Sequence, residues 1–172
     1  MSFSVYDASA PVFTAALGNM QKWLDKARAE GKDEAALVAA RLAPDMAPFS
    51  AQFQMCSDTA KFAIARLTGT EAPSMPDTET SFDELKARLQ RTIDFIQGVP
   101  QSAFEGADER EVVLKFPNGM GYDFTGARYL TGFAIPNFFF HVTTAYAILR
   151  ANGVAVGKPD FLQHLGQPKA AS

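Results

Sequence analysis

Asn137 and His141 are the polar side chains of this chain best spaced to do chemistry. They stand four residues apart in the run Asn137-Phe138-Phe139-Phe140-His141, so on a helix they share one face. An imidazole and an amide at that spacing can hold a metal ion or line a polar pocket. With 3.6 residues per turn, Leu130, Ala134, Asn137, Phe138, Ala145 and Ile148 fall within about 60° of His141, and Arg150 falls opposite. His141 should therefore face the apolar side, where a buried imidazole needs a hydrogen-bond partner. Asn137 is the nearest candidate and Thr144 another. Gln54 and Asp58, one turn apart on an earlier helix, add oxygen donors. A set of His141, Asn137, Gln54 and Asp58 would suit an oxygen-preferring cation held weakly. The more ordinary reading weighs against it: His141 as a core histidine satisfied by a neighbour, and Lys61, three residues after Asp58, as an ordinary surface partner for that carboxylate.

Other chemistries find less support. Cys56 is the single cysteine, so it can form neither an internal disulfide nor a thiolate metal cluster, and it falls on an inward helical face. The glycines of Pro117-Asn118-Gly119-Met120-Gly121 lack the Gly-Lys-Ser/Thr ending of a phosphate loop and read as a turn. Net charge is −3 with 16 Lys and Arg scattered along the chain, which gives nucleic-acid binding no basis. The N-terminus has no basic and apolar regions of a signal peptide. The most apolar run, Tyr129 to Leu149, is interrupted by Thr131, Asn137, His141, Thr143 and Thr144, which argues against a membrane span. A cytoplasmic protein is expected.

The elements that must position these residues follow from periodicity. The 172 residues suit one domain, and 15 phenylalanines promise an aromatic core. Phe13, Leu17, Met20, Leu24 and Ala27 recur at steps of four and three, predicting a helix from about Pro11 to Gly31, capped by Ser9 or Asp7. Asp33 opens a short piece through Leu37 and Ala40. A second long helix is expected from about Met46 to Leu67, closed by Gly69, with Phe49, Phe53, Cys56, Ala60, Ile64 and Leu67 inward and Met55 and Phe62 on the opposite side. Residues 70–80 read as a loop. Ser81 and Glu84 form a capping box opening a third helix with Phe82, Leu85, Leu89, Ile93 and Ile96 on one face. Val112 to Phe116 and Tyr122 to Phe124 flank Pro117-Asn118-Gly119 as a small hairpin. The last long helix begins after Thr125 or Gly126 and ends at Asn152-Gly153, with Pro136 kinking or restarting it. Phe139 and Tyr146 fall on its outer side, where the hairpin, the tail or another subunit would cover them. Pro159, Phe161, Leu162 and His164 should fold back as a short cap. The expected fold is all-α: a four-helix bundle with a small β-hairpin inserted before the last long helix.

Several of these segments resemble an uncharacterised bacterial domain family: Pro136 through Tyr146 with Ile148-Leu149-Arg150 and Asn152-Gly153-Val154, Asp45-Met46, Pro48-Phe49, Gln52 to Gln54, Asp58-Thr59-Ala60-Lys61 through Arg66-Leu67, and Phe161-Leu162. That family is similar in turn to the DinB/YfiT-like superfamily. The resemblance implies a DinB-like four-helix bundle, often a homodimer, over nearly the whole chain. Many such proteins hold a divalent metal with three histidines, one from the second helix and two, four apart, from the last, and some are metal-dependent thiol transferases or hydrolases. Carried over, His141 matches the second of the last-helix pair and is the expected ligand for Zn, Ni or Mn. Asn137 stands where the first would be, and Gln54 or Asp58 is the nearest polar substitute on the second helix.

Three functions remain open. In the first, a small molecule occupies the altered metal cavity formed by His141, Asn137, Gln54, Asp58 and Thr144. Alternatively the protein is a divalent-metal-dependent hydrolase or thiol transferase. Or it is a non-catalytic dimeric structural or stress-related protein.

Overall fold

The computed structural model describes residues 3–169. Four long helices make the bundle: α1 (Ala10–Ala29), α3 (Phe49–Thr68), α4 (Phe82–Gly98) and α6 (Ile135–Ala151). A short α2 (Glu34–Ala39) leads into α3. Strands β1 (Glu111–Lys115) and β2 (Gly121–Thr125) form an antiparallel hairpin in which Val112 faces Phe124 and Leu114 faces Tyr122. A turn of helix, α5 (Gly126–Tyr129), then leads toward α6, and α7 (Lys158–Phe161) begins the tail. Helix α3 packs against α6 on one side and α4 on the other, while α1 packs on α4. This is the expected helical bundle with a hairpin before its last long helix.

Local chemistry sets the boundaries. Asp33 accepts a hydrogen bond from the Ala36 N–H at 3.1 Å and starts α2. Ser81 and Glu84 close the capping box of α4. At the start of α1, Ser9 occupies the cap position, but its hydroxyl donates to the Val5 carbonyl instead. Helix α3 begins at Phe49 rather than Met46, because Pro48 supplies the extended cap residue before it. Gly69 ends α3 at φ 76°, in the left-handed region glycine enters without strain.

The predicted inward faces are buried, among them Phe13, Leu17, Phe49, Phe53, Cys56, Ile64, Phe82, Leu85 and Leu89. Aromatic edges interlock across helices, with Phe13 and Phe138 centroids 4.8 Å apart.

Pro136 falls where the last long helix restarts, the second of the two expected roles. A π-helical turn, Leu130–Ala134, precedes it, so that proline falls in the first turn of α6, where its missing N–H costs little. The hairpin reaches this turn through Gly126, where a Cβ would lie 1.8 Å from the Ala107 carbonyl oxygen. Taken as one continuous helix, Gly126–Ala151 is long and apolar enough to cross a membrane by length and composition, contrary to the reading of an interrupted run. Of that apolar window, 44% lies buried inside the fold.

The tail folds back onto α1. Trp23 Nε1 donates to the Asp160 carbonyl at 3.1 Å, Asn19 Nδ2 donates to the Phe161 carbonyl at 2.9 Å, and Lys26 pairs with Asp160 at 3.0 Å. Phe161 packs against both Trp23 and Tyr146, so the tail covers that outer aromatic of α6.

Candidate functional site

His141 points inward from α6 and is 8% exposed. Its partner is neither Asn137 nor Thr144 but Gln52, on the facing helix α3. Gln52 Nε2 donates to the Ala47 carbonyl at 3.0 Å, which turns its Oε1 toward His141 Nδ1 at 2.9 Å. An amide oxygen cannot donate, so this pattern assigns the proton to Nδ1 and leaves a lone pair on Nε2. Burial holds the imidazole below the ordinary histidine pKa, so the ring is neutral at pH 7. Nε2 makes no hydrogen bond among the described residues, yet it is not sealed from solvent; the one sealed side-chain nitrogen or oxygen without a partner among them is Arg88 Nε. Phe140 stands edge-on to the imidazole at 5.2 Å and is 56% exposed. The arrangement offers a neutral, oriented hydrogen-bond acceptor beside an exposed aromatic ring.

The other expected site residues lie in three settings. Asn137 Nδ2 donates to Thr59 Oγ1 across the same α3–α6 seam at 2.8 Å. Thr144 turns back and donates to the Phe140 carbonyl at 2.7 Å, within its own helix. Gln54 and Asp58 serve the α3–α4 side: Gln54 Nε2 donates to Glu79 at 3.0 Å, and Asp58 accepts from Arg88 at 2.8 Å. The reason is angular. Residues two apart on an α-helix differ by about 200°, so Gln52 reaches α6 and Gln54 cannot. The four side chains expected together therefore divide between two faces of α3.

The α3–α4 seam holds an ionic cluster that sequence reasoning missed. Arg88 has no exposed surface. Its Nη1 reaches Glu79, Asp77 and the Pro76 carbonyl, at 2.9 to 3.1 Å, and its Nη2 reaches Asp58. Lys61 joins Asp58 at 2.8 Å and is 2% exposed, so it is a buried partner rather than the ordinary surface one expected. Desolvation pushes the Glu79 carboxyl up, but hydrogen bonds from its own backbone, Gln54 and Arg88 outweigh it and hold the pKa below its usual value. Beneath lie Ser57 and Thr92, hydroxyl to hydroxyl at 2.7 Å, both touching the Met75 sulfur. The signals were present: Arg88 and Thr92 share the Leu85–Leu89–Ile96 face of α4, and Gln52 shares the Cys56–Ala60 face of α3.

Cys56 is buried, and desolvation pushes its thiol well above the ordinary value. Its sulfur touches the Phe138 carbonyl oxygen at 3.9 Å, so it behaves as a small core residue. Among the described residues, no three His, Cys, Asp or Glu side chains come together to hold a metal ion. The tail histidine, His164, lies away from His141 and accepts from Asn19 at 2.8 Å.

Comparisons with known proteins agree with this architecture. A crystal structure described as a DinB family member protein from Shewanella denitrificans superposes with a TM-score of 0.86 at 36% identity, covering 98% of this chain and 96% of that one. No curated protein matches. Residues 5–162 match a domain family of unknown function, DUF1993. With its bundle, its inserted hairpin and nearly its whole length accounted for, the chain belongs to the DUF1993 family and has a DinB-like fold.

Proposed function

We propose that this protein binds a small molecule at the α3–α6 seam, with His141 Nε2 accepting a hydrogen bond from it. One observation carries the reading: the Ala47–Gln52–His141 chain of hydrogen bonds fixes the imidazole as an Nδ1–H tautomer with its other nitrogen unengaged. Asn137 and Thr59 bound the same seam, and the exposed Phe140 ring supplies an apolar contact beside the acceptor. A neutral imidazole accepts from a hydroxyl, amide or ammonium donor.

A second reading, a divalent-metal-dependent hydrolase or thiol transferase using Zn, Ni or Mn, has one observation in its favour. A histidine whose Nδ1–H is held by a carbonyl-type oxygen is oriented as metal-bound histidines usually are. The rest of the donor set does not fit that ion: Asn137 is turned to Thr59, and the Asp58 carboxylate is taken by Arg88 and Lys61. The proposed site is therefore a ligand pocket at an altered metal position. We place the protein in the cytoplasm and as a homodimer, the latter because Phe140 offers an uncovered aromatic surface.

The test is a thermal-shift and NMR screen of small hydrogen-bond donors on wild type and His141→Ala. Ligands that stabilise the wild type, shift the His141 ring resonances and lose their effect in the variant are expected. Ligands acting equally on both would overturn the reading. Stoichiometric metal in protein purified without an affinity tag, lost in His141→Ala, would favour the metalloenzyme. Light scattering reads the oligomeric state, and a monomer at high concentration would sink the dimer.

A further inference from the structure

The C-terminal end of α3 and the start of β1 border an open, shallow groove of about 530 Å³, lined among others by Phe62, Arg66, Gly69, Thr70, Arg110 and Glu111. Arg66 is pre-organised there. Its guanidinium carbon lies 5.3 Å from the Phe62 centroid and 5.7 Å from that of Tyr129, and its Nη1 donates to the Tyr129 hydroxyl at 2.9 Å. Tyr129 is 1% exposed, so its hydroxyl and ring, with the Phe62 ring, fix the guanidinium while most of its five N–H donors stay unspent. Arg110 approaches from the other wall, and its Nη1 would lie 3.3 Å from a Cβ at Gly69, so the missing side chain lets it settle over the end of α3.

Neither guanidinium has a carboxylate partner within 4.0 Å among the described residues, although Glu111 shares the lining. Lys61, which also lies over Phe62, is already paired with Asp58. Arg28 and Arg88, by contrast, are paired, the first with Asp83 and Glu34 and the second with three carboxylates; Arg41, Arg128 and Arg150 also have no carboxylate within 4.0 Å among the described residues, but they do not line this groove. Two unpaired guanidinium forks facing one groove favour an oxyanion, which they can hold bidentately. Phe62 (38% exposed) and Val113 (45% exposed) beside them add accessible apolar surface.

We propose that this groove binds a small aromatic oxyanion, a carboxylate or phosphate monoester carried on a ring, with the anion on Arg66 and Arg110 and the ring against Phe62 and Val113. The site is separate from His141 and independent of the function proposed there.

Calorimetry and amide NMR at low salt test it, with benzoate and phenyl phosphate as probes, inorganic phosphate for the anion alone and phenol for the ring alone. At least one aromatic anion should bind with a Kd of about 1 mM or tighter. Shifts should centre on Gly69, Thr70 and 110–113, and phenol should give none. Arg110→Gln, at an exposed position, should weaken binding about tenfold or more. Arg66→Lys should weaken it as well, because an ammonium cannot present the fork. No binding at about 10 mM, or unchanged affinity in both variants, would overturn the proposal. Inorganic phosphate binding as tightly as phenyl phosphate would overturn the aromatic part of it. His141→Ala should leave this binding intact.

Discussion

Arg88 of α4 donates to Asp58 of α3 at 2.8 Å, and the arginine is wholly withdrawn from solvent. Its other partners, Asp77 and Glu79, belong to the loop that links the two helices, so one side chain ties the loop and both helices together.

Replacing Arg88 should be among the most damaging single changes. Arg88→Met leaves the Glu79 carboxylate buried without its main countercharge, a loss of about 3–5 kcal/mol. Urea unfolding would measure it, and a change below about 1 kcal/mol would contradict the cluster's role. The same cluster sets an acid limit. The Glu79 pKa is lowered on folding, so its contribution is present above the unfolded value near 4.5 and is lost as pH falls through the folded one. Glu79→Gln should flatten that part of the stability–pH curve.

His141 should titrate below the ordinary histidine range. Its folded pKa is lowered from 6.5 by burial, so the unfolded chain binds the proton more readily. Stability from the neutral ring is full above about 6.5 and declines as pH falls through the folded value. Ring NMR should report the Nδ1–H tautomer at pH 7, and Gln52→Leu should release that tautomer preference. An Nε2–H tautomer in the wild type would refute the hydrogen-bond assignment.

Gly126→Ala should destabilise the joint between hairpin and last helix. The added carbon would lie 1.8 Å from a backbone carbonyl oxygen, which cannot rotate away as a side chain could. Gly98→Ala, with open space at the same atom, is the control. Thermal unfolding should separate the two clearly, and equal melting temperatures would show that the Ala107 segment yields freely.

Asn19→Ala should loosen the tail. It removes hydrogen bonds to the Phe161 carbonyl and to His164 from a side chain that is 1% exposed. A cost of about 1–3 kcal/mol follows if the carbonyl stays unsatisfied. Hydrogen exchange should rise across 158–165 while α3 and α4 keep their protection, and unchanged exchange in the tail would count against the anchor.

The helices and hairpin were legible because each rests on a local pattern: the Ser81–Glu84 box, the Gly69 stop, the Pro117-Asn118-Gly119 turn, the Phe13-to-Ala27 stripe. His141 was correctly turned inward by the same arithmetic. Its partner was not legible, because Gln52 reaches it from 89 positions away in the chain. Periodicity places a side chain on a face but does not say which helix that face meets. Gln54 and Asp58 were grouped with His141 for want of that knowledge; Glu79 of the loop before α4 takes the first, and Arg88 of α4 the second. Arg88 escaped notice because a charged residue on an apolar stripe reads as a boundary position until its carboxylates, one on α3 and two on a loop, are seen to converge.

The π-helical turn before Pro136 has a consequence for alignment. Tyr129 and His141 both meet α3, through Arg66 and Gln52. They are twelve positions apart in the chain, which on an unbroken α-helix would set them about 120° apart around the axis. The wide turn at Leu130–Ala134 absorbs one residue, which brings them to within about 20°. A single surplus residue thus acts as a phase corrector, letting one neighbouring helix engage both ends of the segment. Deleting one residue from that turn would restore regular winding with the pair eleven positions apart, still about 20° from one another, so both the Tyr129–Arg66 and the Gln52–His141 contacts should survive it.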